Sequence, residues 1–95
     1  MPLFTLTCID NADVLEVRMA TRPDHLAYVG SFGDVVKLAG PLLTSVDGNP
    51  KGSFFILDVE NEAAVNAFGD GDPYLVAGVF GERTIHVFRK VIGAL

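Results

Sequence analysis

The spacing of its turn-forming and helix-capping residues is the feature that most limits what this chain can fold into. Proline, glycine and asparagine divide the 95 residues into segments whose hydrophobic spacing alternates between the strand and helix types. We predict strands over residues 3–9, 37–46, 53–59 and 79–91, with one helix after the first strand and another after the third. This order predicts an α+β fold of the ferredoxin-like βαββαβ type, with a four-stranded antiparallel sheet.

The first helix carries a proline that should divide it. Pro23 has no backbone N–H and restricts the residue before it, so we expect the helix to break there and restart just before His25. Thr21 and Asp24 have the spacing of a variant capping box, which favours a new start at that point. Polar side chains within residues 10–13 are expected to cap the first part of the helix.

The second half of the chain has clearer boundaries. Residues 47–50 read Asp-Gly-Asn-Pro, a strong turn signal that predicts a hairpin between the second and third strands. Asn61 is predicted to cap a helix that continues through Phe68. Asp72 followed by Pro73 has the form of a cap with proline at the first helical position.

The strands carry large apolar side chains at both odd and even positions. Phe55 and Leu57 alternate with Phe54 and Ile56, whereas an antiparallel sheet with one solvated face should alternate apolar with polar residues. The composition agrees, because 49% of residues are hydrophobic and a chain this small can bury only part of its surface alone. We therefore predict a homodimer in which two sheets pack face to face.

Composition also narrows the range of partners. The net charge is −5, which disfavours nucleic acid and anionic membranes. No stretch approaches the roughly 20 apolar residues that cross a bilayer. We expect one domain over residues 1–95, and we expect the protein in the cytoplasm. Cys8 cannot form an internal disulfide and is expected to be a buried hydrophobic residue.

His25 and Asp72 are the main candidates for chemistry, each in a short distinctive run. A histidine oriented by a carboxylate is the simplest proton-transfer pair near neutral pH. From the residues alone, His25 could instead be a capping or partly buried structural histidine. Asp72 could serve only as a helix cap, and we expect that its side chain cannot fully cap a helix and orient His25 at the same time.

Four further residues are candidate substrate contacts. Arg22 should share a helix face with His25 and could hold an anion, and Arg18 would join them if the helix continued through Pro23. A bend at Gly40 and Pro41 would let a ligand approach the backbone. Tyr74 is expected to be a core or rim aromatic residue, with its hydroxyl as a possible ligand contact. The chain has no nucleotide-binding motif and no recognisable metal-ligand spacing, so we expect no cofactor and no metal.

Several motifs together resemble the YciI-like, or YCII-related, family. They are Arg22-Pro23-x-His25-Leu26, Ala39-Gly40-Pro41-Leu42, Gly52, and Asp72-Pro73-Tyr74-x-x-Ala77-Gly78-Val79. The resemblance covers nearly the whole chain. It implies a dimeric α+β barrel of ferredoxin-like subunits, with the histidine and the aspartate before proline forming an active site in a cleft.

Three functional hypotheses follow. The first is a small cofactor-independent enzyme of the isomerase or lyase type, with His25 as the base and Asp72 as its orienting partner for a small metabolite. The second is a non-catalytic module that binds a small ligand in the same cleft. The third is a purely structural oligomer, which predicts no enclosed polar cleft near His25.

Overall fold

Four antiparallel strands in the order β2-β3-β1-β4 form the sheet of the computed structural model, which describes residues 1–95. The elements are β1 (Leu3–Asp10), α1 (Leu15–Gly30), β2 (Val36–Leu43), β3 (Pro50–Asp58), α2 (Glu62–Gly71), α3 (Pro73–Val76) and β4 (Phe80–Phe88). A single 3₁₀ turn precedes β2. This is the predicted ferredoxin-like βαββαβ fold, with one short additional helix, α3, and with β4 ending earlier than expected.

The core lies between the helices and one face of the sheet. Leu6 pairs across the two central strands with Phe55, and both side chains are at most 1% exposed. They pack with Val65 of α2 and Tyr74 of α3 in one hydrophobic cluster. Cys8 belongs to the same cluster, and burial raises the pKa of its thiol to about 11. The cysteine therefore stays protonated near neutral pH and acts as a packing residue, as expected.

The first helix does not break at Pro23, which corrects the prediction. α1 is continuous, and Pro23 lies inside it with its side chain exposed. The Thr21 hydroxyl donates to the Val17 carbonyl at 2.7 Å, as in a helix interior, instead of starting a capping box. A proline inside a helix costs about 3 kcal/mol. Buried contacts of Arg18 and His25, on either side of the proline, hold the helix together across it.

The expected polar caps of α1 are also wrong. The N-cap is Val14, which makes no side-chain capping bond. The nearby polar side chains have other partners: Asp10 accepts from Arg18, and Asn11 donates to the carbonyl oxygens of Gly78 and Phe80. These residues tie the end of β1 to its neighbours because their side chains form longer-range contacts.

The second helix begins as predicted but runs three residues further. Asn61 caps it by accepting from a backbone N–H at 2.9 Å. The helix continues to Gly71, and the glycines of its last turns leave room for two long side chains. A Cβ at Gly69 would lie 2.6 Å from the Arg83 guanidinium, and one at Gly71 would meet the Tyr28 hydroxyl.

Large apolar side chains of β2, β3 and the end of β4 lie on the other face of the sheet, beside polar side chains of β1 and β4. Alternation along the strands places Phe54 and Ile56 opposite the core, and Leu38 lies beside Ile56 in the register. Leu38 remains 48% exposed, and Phe88 at the end of β4 is 38% exposed. Ile56 is covered by its neighbours at 6% exposure, but the exposed apolar surface beside it is typical of an interaction surface, so the face-to-face homodimer stays our prediction.

Replacing Leu38 with lysine should weaken that dimer. The side chain is half exposed in the single subunit, so Leu38→Lys should leave the fold intact while placing a charge in the contact. Analytical ultracentrifugation at micromolar concentration should show dimers for the wild type and a shift to monomers for the variant. Val46→Lys, at the exposed tip of the β2–β3 hairpin, is the matched control and should stay dimeric. A monomeric wild type would contradict the prediction.

Candidate active site

A cavity of about 150 Å³ lies between α1 and the β2–β3 part of the sheet. Five of the six predicted site residues line it, namely Arg22, His25, Gly40, Pro41 and Tyr74. Gly40 and Pro41 contribute the wall on β2, and α1 contributes the wall opposite. The sixth predicted residue contacts His25 directly and is described next.

His25 and Asp72 meet in a buried pair, 47 positions apart in the sequence. The Nδ1 atom of His25 lies 2.8 Å from Oδ1 of Asp72 and 3.1 Å from Oδ2. The residues are 8% and 1% exposed. An ionised carboxylate can only accept, so Nδ1–H is the donor and Nε2 of the neutral ring carries the free lone pair.

Asp72 also caps α3, so the expectation that it could not fully cap a helix and pair with His25 is wrong. Its Oδ1 accepts from the backbone N–H of Tyr74 at 2.9 Å, and Pro73 occupies the first helical position as predicted. One carboxylate oxygen can accept two hydrogen bonds from different directions. The helix start and the histidine are therefore held by the same side chain.

The second ring nitrogen of His25 faces the cavity. Nε2 makes no hydrogen bond within the chain. It is also not fully buried, because Oδ1 of Asp58 is the one fully buried side-chain polar atom that has no hydrogen-bond partner. The Nε2 atom therefore lies on the small accessible part of this ring, which lines the cavity. A bound molecule can reach the basic nitrogen without displacing Asp72.

Tyr74 stacks on the imidazole. The two ring centroids are 4.0 Å apart, and the ring planes differ by 19°. The guanidinium carbon of Arg18 also lies over the tyrosine ring, 4.5 Å from its centroid. Burial raises the pKa of the Tyr74 phenol, with the positive charges of Arg18 and Arg22 acting in the opposite direction.

Arg18 is also a site residue, as expected only for a helix that continues through Pro23. It is 3% exposed, and its guanidinium donates to Asp10 at 2.8 Å, to the Gly52 carbonyl at 3.1 Å and to the Ser53 hydroxyl at 2.7 Å. Burial raises the pKa of the Asp10 carboxyl, while the Arg18 charge acts in the opposite direction. This network fixes Arg18 as part of the cavity wall.

The two arginines of the cavity differ in availability. Arg18 uses its donors within the chain, whereas Arg22, one helical turn further, is exposed and makes no hydrogen bond or ion pair there. Residues 18, 22 and 25 share one helix face at the i, i+4, i+7 spacing. Arg18 joins Arg22 and His25 on this face because the helix continues through Pro23.

No group of three or more histidine, cysteine, aspartate or glutamate side chains is arranged to hold a metal ion. Separately, none of the helices has the length and apolar character needed to cross a membrane.

Comparison with known proteins defines the class first. The structure of an antibiotic biosynthesis monooxygenase covers 97% of this chain and is covered fully by it, with a TM-score of 0.57 at 8% identity, which is a likeness of fold alone. The 5-chloro-2-hydroxyhydroquinone dehydrochlorinase of Burkholderia phenoliruptrix, in complex with 2,5-dihydroxybenzoquinone, has a TM-score of 0.86 at 28% identity. That similarity covers 92% of this chain and 93% of the dehydrochlorinase chain. The class is a ferredoxin-like α+β protein with a histidine–aspartate pair beside a small cavity.

The family is then clear from the sequence. Residues 2–89 match the YCII-related domain, and the chain belongs to this family. Protein YciI of Escherichia coli is 37% identical over 97 aligned residues, covering 94% of this chain and 98% of that protein. An uncharacterised protein of Haemophilus influenzae is 35% identical over 89 residues, covering 86% of this chain and 91% of its own. The resemblance found from the motifs is confirmed.

Removing Arg18 should destabilise the protein far more than removing Arg22. In Arg18→Met the partly buried Asp10 loses its ion-pair partner. Losing the partner of a buried charge typically costs about 3–5 kcal/mol, and we expect the lower end of that range. Arg22→Met removes an exposed, unpaired charge and should change the free energy of unfolding by no more than about 0.5 kcal/mol.

Urea unfolding of both variants measures this difference. Adding Asp10→Asn to Arg18→Met should recover part of the loss, because the uncompensated charge is then absent. Equal stabilities for the two single variants would show that the Arg18 network contributes little to the fold.

Proposed function

We propose that the protein is a small-molecule enzyme that uses His25 as a general base, with Asp72 as its orienting partner, in isomerisation or elimination chemistry. The observation that supports this most directly is the 2.8 Å contact from Nδ1 to Asp72, which leaves Nε2 on the cavity wall. A histidine arranged in this way can remove a proton from a bound molecule, and the adjacent carboxylate stabilises the imidazolium that forms.

The proposed step balances without a cofactor. Nε2 of His25 takes a proton from a carbon or hydroxyl of the substrate, and the bonding electron pair is delocalised onto a conjugated oxygen. The pair then either expels a leaving group such as chloride, which is elimination, or takes the proton back at another carbon, which is isomerisation. Positioned acid–base catalysis of this kind contributes about 10²–10⁴-fold in rate.

The dimensions and charges of the site restrict the substrate. A cavity of roughly 150 Å³ is large enough for one benzene-sized ring. Arg22 supplies an unpaired positive charge at its edge, suited to a phenolate, enolate or carboxylate oxygen. We therefore propose a planar, single-ring or smaller metabolite that carries an acidic oxygen.

The similarity to the dehydrochlorinase supports the same reaction class. A dehydrochlorinase removes the elements of HCl, so its reaction requires a base. The dehydrochlorinase structure holds a dihydroxylated quinone, which is a planar single ring of the size proposed here. Its 28% identity extends over almost the whole of both chains. We propose the reaction class for this protein and leave the substrate itself to experiment.

Substituting His25 should abolish the activity. Chloride release from 5-chloro-2-hydroxyhydroquinone, together with deuterium incorporation into a panel of hydroxylated quinones and enolisable ring compounds, provides the assay. We expect His25→Gln to lower kcat by at least about 10²-fold, and Asp72→Asn to lower it by a smaller factor. The matched control is His86→Gln, because His86 is exposed on β4 away from the cavity.

Two results would contradict the proposal. Full activity in a folded His25→Gln variant would exclude this base. Binding of 2,5-dihydroxybenzoquinone by the wild type, without turnover or exchange on any compound of the panel, would favour the non-catalytic binding module instead. Thermal unfolding of each variant checks that a loss of activity does not reflect a loss of fold.

A further inference from the structure

A second polar group on the cavity wall has no hydrogen-bond partner. The Tyr74 side chain lines the cavity and is only 2% exposed, yet its hydroxyl makes no hydrogen bond within the chain. This unpaired hydroxyl is not fully buried, because Oδ1 of Asp58 is the one fully buried side-chain polar atom that has no hydrogen-bond partner. The hydroxyl therefore keeps some accessible surface, on a side chain that lines the cavity.

The other tyrosine shows what a structural hydroxyl looks like in this fold. Tyr28 donates to the Phe68 carbonyl oxygen at 2.8 Å and packs against the end of α2. A buried hydroxyl without a partner costs about 1–3 kcal/mol, so proteins usually satisfy such groups. A phenol and an imidazole nitrogen that both lack a partner in the chain, on the wall of one cavity, can contact two atoms of the same ligand.

The stacked geometry brings the phenol and the base to the same molecule. The Tyr74 and His25 rings are nearly parallel, with centroids 4.0 Å apart. A ring-sized molecule that reaches Nε2 in a cavity of about 150 Å³ also comes within reach of the phenol. The backbone N–H of Tyr74 is bound to Asp72, so one short segment orients the base and presents the hydroxyl.

Building on the proposed function, we infer that the Tyr74 hydroxyl is a catalytic hydrogen-bond donor to the substrate oxygen that gains negative charge when His25 removes the proton. The substrate is accordingly a ring compound in which the atom that loses the proton is conjugated with a carbonyl or phenolic oxygen. The hydrogen bond is stronger in the transition state than in the ground state, because the charge on that oxygen increases during the step.

The phenol donates a hydrogen bond and keeps its proton. Burial raises its pKa, so the hydroxyl is protonated near neutral pH and remains a donor throughout the reaction. The substrate proton goes to Nε2 of His25, and the electron pair that it leaves behind goes to the substrate oxygen. No bond to Tyr74 forms or breaks. Arg22 can add a charge-assisted contact to the same anion.

Tyr74→Phe removes the hydroxyl and keeps the aromatic ring that stacks on His25 and lies under Arg18. We expect kcat for chloride release from 5-chloro-2-hydroxyhydroquinone to fall by about 10²-fold, the usual effect of losing one such donor. Binding of 2,5-dihydroxybenzoquinone, followed by its visible absorption, should weaken by about 5–10-fold. The pH at which the His25-dependent limb of the kcat profile begins should stay the same, because the histidine and its partner are unchanged.

Tyr28→Phe is the matched control for the loss of a tyrosine hydroxyl. It should lower the melting temperature while leaving kcat and quinone binding near the wild-type values, because its hydroxyl contacts only the backbone of α2. Equal binding and turnover by Tyr74→Phe and the wild type, alongside an inactive His25→Gln, would overturn this inference alone. A wild type that neither binds the quinone nor shows turnover or exchange on any compound of the panel would overturn the proposed function together with it.

Discussion

The buried carboxylate of Asp72 is the group on which the site depends. It joins three parts of the fold, because it follows α2, caps α3 and accepts from His25 of α1. Removing a carboxylate from water is costly unless hydrogen bonds replace the lost solvation. The N–H of Tyr74 and the imidazole of His25 supply those bonds. The same interactions that make burial of Asp72 tolerable also fix the tautomer of His25 and hold the Tyr74 ring against it.

Much of the architecture could be predicted from the sequence because its signals are local. Asn61 and the Asp72–Pro73 pair mark helix starts through hydrogen bonds within three residues, and these capping predictions were correct. The alternation of β3 places Phe54 and Ile56 on the sheet face opposite the core. A face-to-face dimer would cover that face, as the family resemblance also implies.

The errors arose where distant contacts override a local signal. Pro23 is a strong helix breaker on its own, and nothing nearby in the sequence shows that Arg18 and His25 are both held in the interior. Likewise Asp10 has the appearance of a helix cap, but the Arg18 guanidinium takes its carboxylate. A helix divided at Pro23 would not place Arg18 on the wall that contains His25, so Arg18 was expected there only if the helix continued. The glycines before Asp72 similarly lie inside α2, where their lack of side chains leaves space for Arg83 and Tyr28 from elsewhere in the fold.

The most direct test of the pairing of His25 with Asp72 is the protonation of the His25 ring, observed by long-range ¹H–¹⁵N correlation in uniformly labelled protein above the titration midpoint of the histidine. We expect the Nδ1–H tautomer, with a strongly deshielded Nδ1 proton that Asp72→Asn shifts or removes. We also expect an unprotonated Nε2 whose signal changes when 2,5-dihydroxybenzoquinone binds. His86, which makes no such contact, serves as the internal reference. An Nε2–H tautomer, or a His25 spectrum that Asp72→Asn leaves unchanged, would contradict the pairing of these residues as a catalytic base and its orienting acid.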